Sequence, residues 1–104
     1  MDAMLRALSD RTRRQILAMV WREEHTAGEI AAGFTMTRPA VSQHLSILRE
    51  SKLVSERREG TRRFYRANRP AMARLRADLG AFWDDHLAQL KDAAEAAARR
   101  GKIR

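Results

Sequence analysis

Three side chains able both to donate and to accept hydrogen bonds, Ser42, Gln43 and Ser46, stand within the stretch MTRPAVSQHLSIL at residues 36–48. Placed at 100° per residue, Val41, Leu45 and Leu48 share one helix face, and Pro39, Ser42, Gln43 and Ser46 cluster on the opposite one. His44 falls on the boundary beside Leu48. A core helix would not carry that polar face, and a plain solvated face would favour Glu and Lys. Short hydroxyls and an amide can reach base edges in a DNA major groove without bulk, which is the chemistry these types and spacings suit. Thr37 is a good N-cap, Pro39 is tolerated in a first helical turn, and Met36 with Val41 can form a hydrophobic staple. The expected recognition set is Thr37, Arg38, Pro39, Ser42, Gln43, His44 and Ser46.

A second cluster is cationic. Arg57, Arg58, Arg62, Arg63 and Arg66 flank the turn signal Glu59-Gly60, with Glu56 and Glu59 as the local counter-charges. Residues 53–67 read as a β-hairpin whose register the sequence does not fix. A hairpin so charged suits phosphate contact or insertion of an arginine into a narrow minor groove. Charge on an edge hairpin can also serve only to block aggregation. Five arginines and no lysine favour binding, because guanidinium matches phosphate geometry. The expected wing set is Arg57, Arg58, Thr61, Arg62 and Arg63.

The elements that must position these groups follow from spacing. Met4, Leu5 and Leu8 give a first helix, closed near Ser9. Asp10 can cap a second, with Ile16, Leu17 and Val20 inward, followed by a polar stretch in which His25 is expected to be a loop residue. Thr26 to Glu29 (TAGE) has the form of a capping box opening a third helix, with Ile30, Ala31 and Phe34 inward. Pro70 opens a last helix carrying Met72, Leu75, Leu79, Phe82, Leu87 and Leu90, prolonged by the alanines of 93–98. A tight turn joins the third helix to the helix of residues 36–48, so residues 26–51 form a helix-turn-helix. The hairpin of 53–67 and a last helix over 70–100 follow. The expected fold is mainly α with a small β-hairpin, and 1–104 is expected to be a single domain.

Bulk properties narrow the function. The 104 residues carry 21 Lys and Arg against 13 Asp and Glu, a net charge of +8 that favours a polyanionic partner. Residues 57–76 alone hold eight Arg against Glu59. With no Cys, thiolate metal sites, disulfides and cysteine nucleophiles are excluded. No apolar run approaches a membrane span and no signal-peptide core is visible, so a soluble cytoplasmic protein is expected. No nucleophile with its base, paired acid or phosphate-binding glycine loop suggests catalysis, and no cofactor is implied. A basic last helix could instead lie on an anionic membrane surface or bind a protein partner, but Asp78, Asp84, Asp85 and Asp92 on that helix argue against the membrane.

The runs Leu8-Ser-Asp-Arg-Thr-Arg-Arg-Gln-Ile-Leu17, Arg38-Pro-Ala-Val-Ser-Gln-His-Leu45, Leu48-Arg-Glu-Ser-Lys-Leu-Val54 and Arg58-Glu-Gly-Thr-Arg-Arg-Phe-Tyr65 resemble the ArsR/SmtB family of winged helix-turn-helix transcriptional regulators. The resemblance covers nearly the whole chain in order. It implies a homodimer joined through the first and last helices, bound to a pseudo-palindromic double-stranded operator, usually as a repressor. Arg11 stands where members often have Pro, and Ser46 replaces a frequent Lys, which removes one phosphate contact. Thr35 stands where many have Gly, and Gly33 is expected to absorb part of the resulting strain.

Metal sensing in the family uses Cys in the third helix or acidic and His ligands in the last. The second pattern is met by Asp84 and His86 in its first half only, since its second half falls on Ala97 and Arg100. Two ligands are too few for a tight zinc site, so no metal response is expected. The apolar stripe exceeds what so short a chain can bury. Met4, Leu5, Leu75, Leu79, Phe82, Trp83, His86 and Leu90 are therefore the expected dimer interface. Whether Phe82 and Trp83 fill that interface or border a small organic effector, itself not readable, stays open.

Overall fold

The computed structural model describes residues 1–102. Helix α1 spans Asp2–Leu8 and α2 spans Arg11–Met19, the latter started by the Asp10 carboxylate accepting from the Arg13 backbone N–H at 3.0 Å. A two-residue strand β1, His25–Thr26, leads directly into α3, Ala27–Ala32. The capping box at its start is complete: Glu29 N–H donates to Thr26 Oγ1 at 3.1 Å, and Thr26 N–H donates to Glu29 Oε1 at 3.0 Å. Helix α4, Arg38–Glu50, begins with Ala40 N–H donating to Thr37 Oγ1 at 3.3 Å, with Pro39 in its first turn. These caps fix where α3 and α4 begin, and hence the phase of their exposed faces.

The end of α4 is equally defined. Leu53 N–H donates to Leu48 O at 2.9 Å and Lys52 N–H to Arg49 O at 3.0 Å, while Lys52 takes φ 69°. This is a Schellman motif with lysine at the left-handed position that glycine usually fills. Leu48 and Leu53, the two residues that such a motif brings together, are both fully buried. The motif turns the chain from α4 straight into β2.

Strands β2 (Val54–Glu59) and β3 (Arg62–Ala67) pair antiparallel, from Val54 opposite Ala67 to Glu59 opposite Arg62. The two-residue loop has positive φ at Gly60 and not at Thr61, as a type II′ turn requires. β1 pairs with the other side of β3, His25 opposite Tyr65 and Thr26 opposite Phe64, giving a three-stranded sheet in the order β1-β3-β2. His25 is therefore a strand residue, not the loop residue expected; two residues are too few to show period-2 alternation. Gly33 also departs from expectation. It closes α3 at φ −84° in the right-handed region, and only Lys52 and Gly60 have positive φ among the described residues. The turn needs no left-handed residue, so Thr35 is accommodated without help.

Ile16, Val20, Ile30, Val41, Leu45, Leu48 and Leu53 form the centre of the core, all essentially inaccessible. Phe34, Met36 and Met4 pack against it half-buried. Helix α5 runs Arg69–Lys102, opened by Asn68 Oδ1 accepting from Ala71 N–H at 3.2 Å. The chain divides into two compact units, Met1–Ala73 and the remainder of α5 from Arg74. In the second, Leu75 is buried and Leu79 half-buried, whereas Phe82, Trp83, Leu87 and Leu90 are 46, 53, 52 and 60% exposed. No described helix is long and apolar enough to cross a membrane.

Candidate nucleic-acid interface

Because α4 buries Val41, Leu45 and Leu48, the positions between them on the wheel must face outward. Thr37, Arg38, Pro39, Ser42, Gln43 and Ser46 are all exposed. Among the described residues, the side chains of Ser42, Gln43 and Ser46 accept or donate no hydrogen bond within the chain, so their polar atoms are free for a ligand. His44 is different. It is half-buried, with Nδ1 3.4 Å from Arg13 Nη1, and so backs α4 against α2. Arg13 is itself fixed there, donating from Nε to Ala7 O at 2.7 Å and from Nη2 to Arg6 O at 3.1 Å.

A cleft of about 360 Å³ lies between the helix-turn-helix and the hairpin. Thr26, Ala27 and Gly28 at the start of α3, Arg38 and Ser42 on α4, and Thr61, Arg62, Arg63 and Tyr65 of the hairpin line it. Among the described residues its lining holds three guanidinium groups and no carboxylate, which concentrates positive potential there. The expected members Arg38, Ser42, Thr61, Arg62 and Arg63 are brought together. Pro39, Gln43 and Ser46 lie on the same outward face of α4, outside the cleft. Sequence reasoning did not assign Thr26 and Gly28 to the site, although the capping box marked them as a helix start.

The hairpin arginines are not equivalent. Arg57 donates from Nε to Glu24 at 3.1 Å, with Nη2 on the other oxygen of the same carboxylate, and from Nη1 to Glu59 at 2.9 Å. Its guanidinium also lies 4.5 Å above the centre of the Phe64 ring. The hydrogen bond from Arg57 holds the Glu24 carboxyl below the usual carboxylate range, and Glu24 in turn raises the pKa of Arg57.

Glu56, with its side chain only 11% exposed, accepts from Arg49 Nη1 at 2.7 Å. Arg58 Nε and Arg63 Nε stand 3.5 and 3.6 Å from its other oxygen. That hydrogen bond from Arg49 lowers the Glu56 pKa, and so ties the last turn of α4 to the wing as an ion pair. Arg62 and Arg66 have no carboxylate within 4 Å among the described residues, and Arg62 rests 5.1 Å from the Phe64 ring centre. Glu24 was missed by sequence reasoning because it lies 33 positions from Arg57, beyond any local spacing rule.

On α5 the expected interface residues separate by exposure. Leu75 is buried and Met4 packs on the core, while Leu5, Phe82, Trp83 and Leu90 remain at least 38% exposed. Phe82 stacks on His86 at 4.1 Å and meets Trp83 edge-on at 5.9 Å. His86 Nδ1 lies 2.8 Å from Phe82 O, which assigns the ring hydrogen to Nδ1 as donor to that carbonyl.

A helix-turn-helix followed by a basic antiparallel hairpin defines a winged helix-turn-helix protein. The family model described as "Bacterial regulatory protein, arsR family" matches residues 10–56, which run from the cap of α2 into β2. The chain is 43% identical over 82 residues to the HTH-type transcriptional regulator Rv2034 of Mycobacterium tuberculosis, covering 79% of this chain and 77% of that one. It is 38% identical to the transcriptional repressor SdpR of Bacillus subtilis, over 65% of this chain and 76% of the repressor. Among solved structures it resembles the homodimeric winged helix-turn-helix DNA-binding domain of Mb0332 from Mycobacterium bovis. The TM-score is 0.65 at 35% identity, covering 83% of this chain and 80% of that domain. The chain belongs to the ArsR family, and is a DNA-binding transcriptional regulator and not an enzyme.

Proposed function

We propose that the protein is a cytoplasmic, homodimeric repressor that binds a pseudo-palindromic duplex operator, with a DNA affinity that metal ions do not control. The observation that carries this reading is the carboxylate-free cleft joining Arg38 and Ser42 of α4 to Arg62 and Arg63 of the wing. Ser42, Gln43 and Ser46 address base edges, helped by Thr37, Arg38 and Pro39 at the helix start, while Arg58, Thr61, Arg62 and Arg63 address the backbone or minor groove. His44 supports α4 from behind.

Dimerisation is supported by the exposed apolar side chains of α5. Phe82, Trp83, Leu87 and Leu90 are about half exposed on α5, and Leu5 adds a further exposed side chain on α1. A second copy would bury the exposed α5 side chains, at about 25 cal/mol per Å² of apolar area. The homodimeric state of the Mb0332 domain supports the same assignment.

The absence of metal control is supported by the sequence itself. Cys is lacking, and the half-pattern Asp84 and His86 is completed only by Ala97 and Arg100. Selecting bound fragments from a random duplex pool tests the whole reading. The expected product is an inverted repeat with half-sites about one helical turn, ~10–10.5 bp, or a multiple of it apart. A pool that yields no common sequence contradicts it.

A further inference from the structure

We propose that Glu24 and Arg57 form a clasp that holds the wing at a fixed distance from the helix-turn-helix. On this assignment, which rests on the duplex-binding reading above, Arg57 is a positioning residue and not a phosphate ligand.

Arg57 commits three of its five N–H donors to carboxylates. Nε and Nη2 fork onto the two oxygens of Glu24, and Nη1 meets Glu59. Its flat face is covered on one side by Phe64. A phosphate could take the Nε–Nη2 edge of Arg57 only by displacing a two-point, charge-assisted pair. It would also have to approach the carboxylates of Glu24 and Glu59, which repel it. Arg62 presents the contrary case. It lines the cleft, has no carboxylate within 4 Å among the described residues, and needs to give up nothing to bind an anion.

The location of the clasp explains its use. Arg57 sits on β2 opposite Phe64 of β3, and Phe64 is in turn opposite Thr26 of β1. Reaching over Phe64 to Glu24, which directly precedes β1, the Arg57 side chain spans all three strands. The backbone ladder beneath it is short, since β1 and β3 pair through two residues only. β1 runs without a break into α3, whose first turn forms one wall of the cleft, and Thr61 to Arg63 form the other. The clasp therefore sets the width of the cleft. With side chains 50% and 35% exposed, the pair contributes little to global stability; its effect falls on geometry.

The test uses the full chain with Glu24→Gln, Arg57→Lys and the double variant, plus Arg57→Ala for the salt dependence. In DNA-free protein, amide hydrogen exchange at residues 25–26 and 64–65 should accelerate in Glu24→Gln and in Arg57→Lys while circular dichroism stays unchanged. Against a duplex selected by the wild-type protein, Glu24→Gln should lose affinity about tenfold. A random-sequence duplex should bind equally well or more tightly, because one negative charge has gone. The double variant should be no weaker than the worse single one, as two halves of one interaction require. The salt slope of Arg57→Ala should match that of wild type. A slope lower by about one unit would show a phosphate contact and overturn the assignment. Unchanged exchange in Glu24→Gln, or an equal gain on both duplexes, would overturn it too. A wild-type chain that binds no duplex would sink the DNA reading, and the exchange measurement would still decide whether the clasp holds the strands.

Discussion

The outward face of α4 and the wing approach the same cleft, but they hold their polar groups in opposite ways. Ser42, Gln43 and Ser46 stand exposed on a helix pinned by a buried stripe, and among the described residues their side chains make no hydrogen bond. In the wing, Arg57, Arg58 and Arg63 are each engaged by a carboxylate, from Glu24, Glu56 or Glu59. A rigid scaffold with free polar tips suits discrimination between bases, where geometry has to be right before contact. A charged ribbon restrained by its own carboxylates suits backbone attraction, because it keeps shape while retaining excess positive charge.

The sharpest break between the two faces of α4 itself should be Leu48→Ala. Leu48 is fully buried and belongs to the Schellman motif, so its truncation should cost about 2–5 kcal/mol in chemical denaturation. Gln43→Ala, on the opposite face, should leave the denaturation midpoint in place and remove ~1–3 kcal/mol of base discrimination. Equal weakening on selected and random duplexes would show that Gln43 touches only the backbone. In the wing the signature inverts. Arg62→Ala with Arg63→Ala should weaken every duplex and lower the salt slope by roughly one unit for each phosphate no longer neutralised, leaving sequence preference intact.

Smaller effects refine the picture. Lys52→Gly should raise stability by roughly 1 kcal/mol, since a lysine held at φ 69° carries a steric cost that glycine does not. Glu56 supplies a pH dependence. Its pKa is lowered in the folded state by the hydrogen bond from Arg49, so the folded chain favours the ionised carboxylate. Its stabilising contribution is complete above the unfolded carboxylate pKa, near 4.3, and is lost as pH falls through the lower folded value. Comparing acid denaturation of wild type and Glu56→Gln should show the two curves converging below that window, with a difference of about 1 kcal/mol or less above it.

Much of α4 was legible because its determinants are local: Thr37 as cap, Pro39 in the first turn, and apolar residues at helical spacing. The TAGE capping box was legible for the same reason. What escaped was non-local. The pairing of β1 with β3 depends on residues 38 and 40 positions apart, and two residues give no periodic signal. The hairpin register follows from Gly60 and the Glu59–Arg62 closure, a choice among several that the sequence permits. Glu24 reads as part of a polar helix end, and nothing near it in the chain announces Arg57. At the start of α5 Pro70 is the stronger sequence signal, although the side chain of Asn68 makes the cap. Of the expected interface residues, Leu75 reads like its neighbours in the stripe, and only the structure separates it as already buried.

Hydroxyl-radical footprinting on a duplex selected by the wild-type protein, with the bound stoichiometry measured on the same complex, tests the central claim most directly. Two chains should protect two half-sites related by a dyad, ~10–10.5 bp or a multiple of it apart, with minor-groove protection flanking each where the wing falls. A single asymmetric protected segment bound by one chain would contradict it.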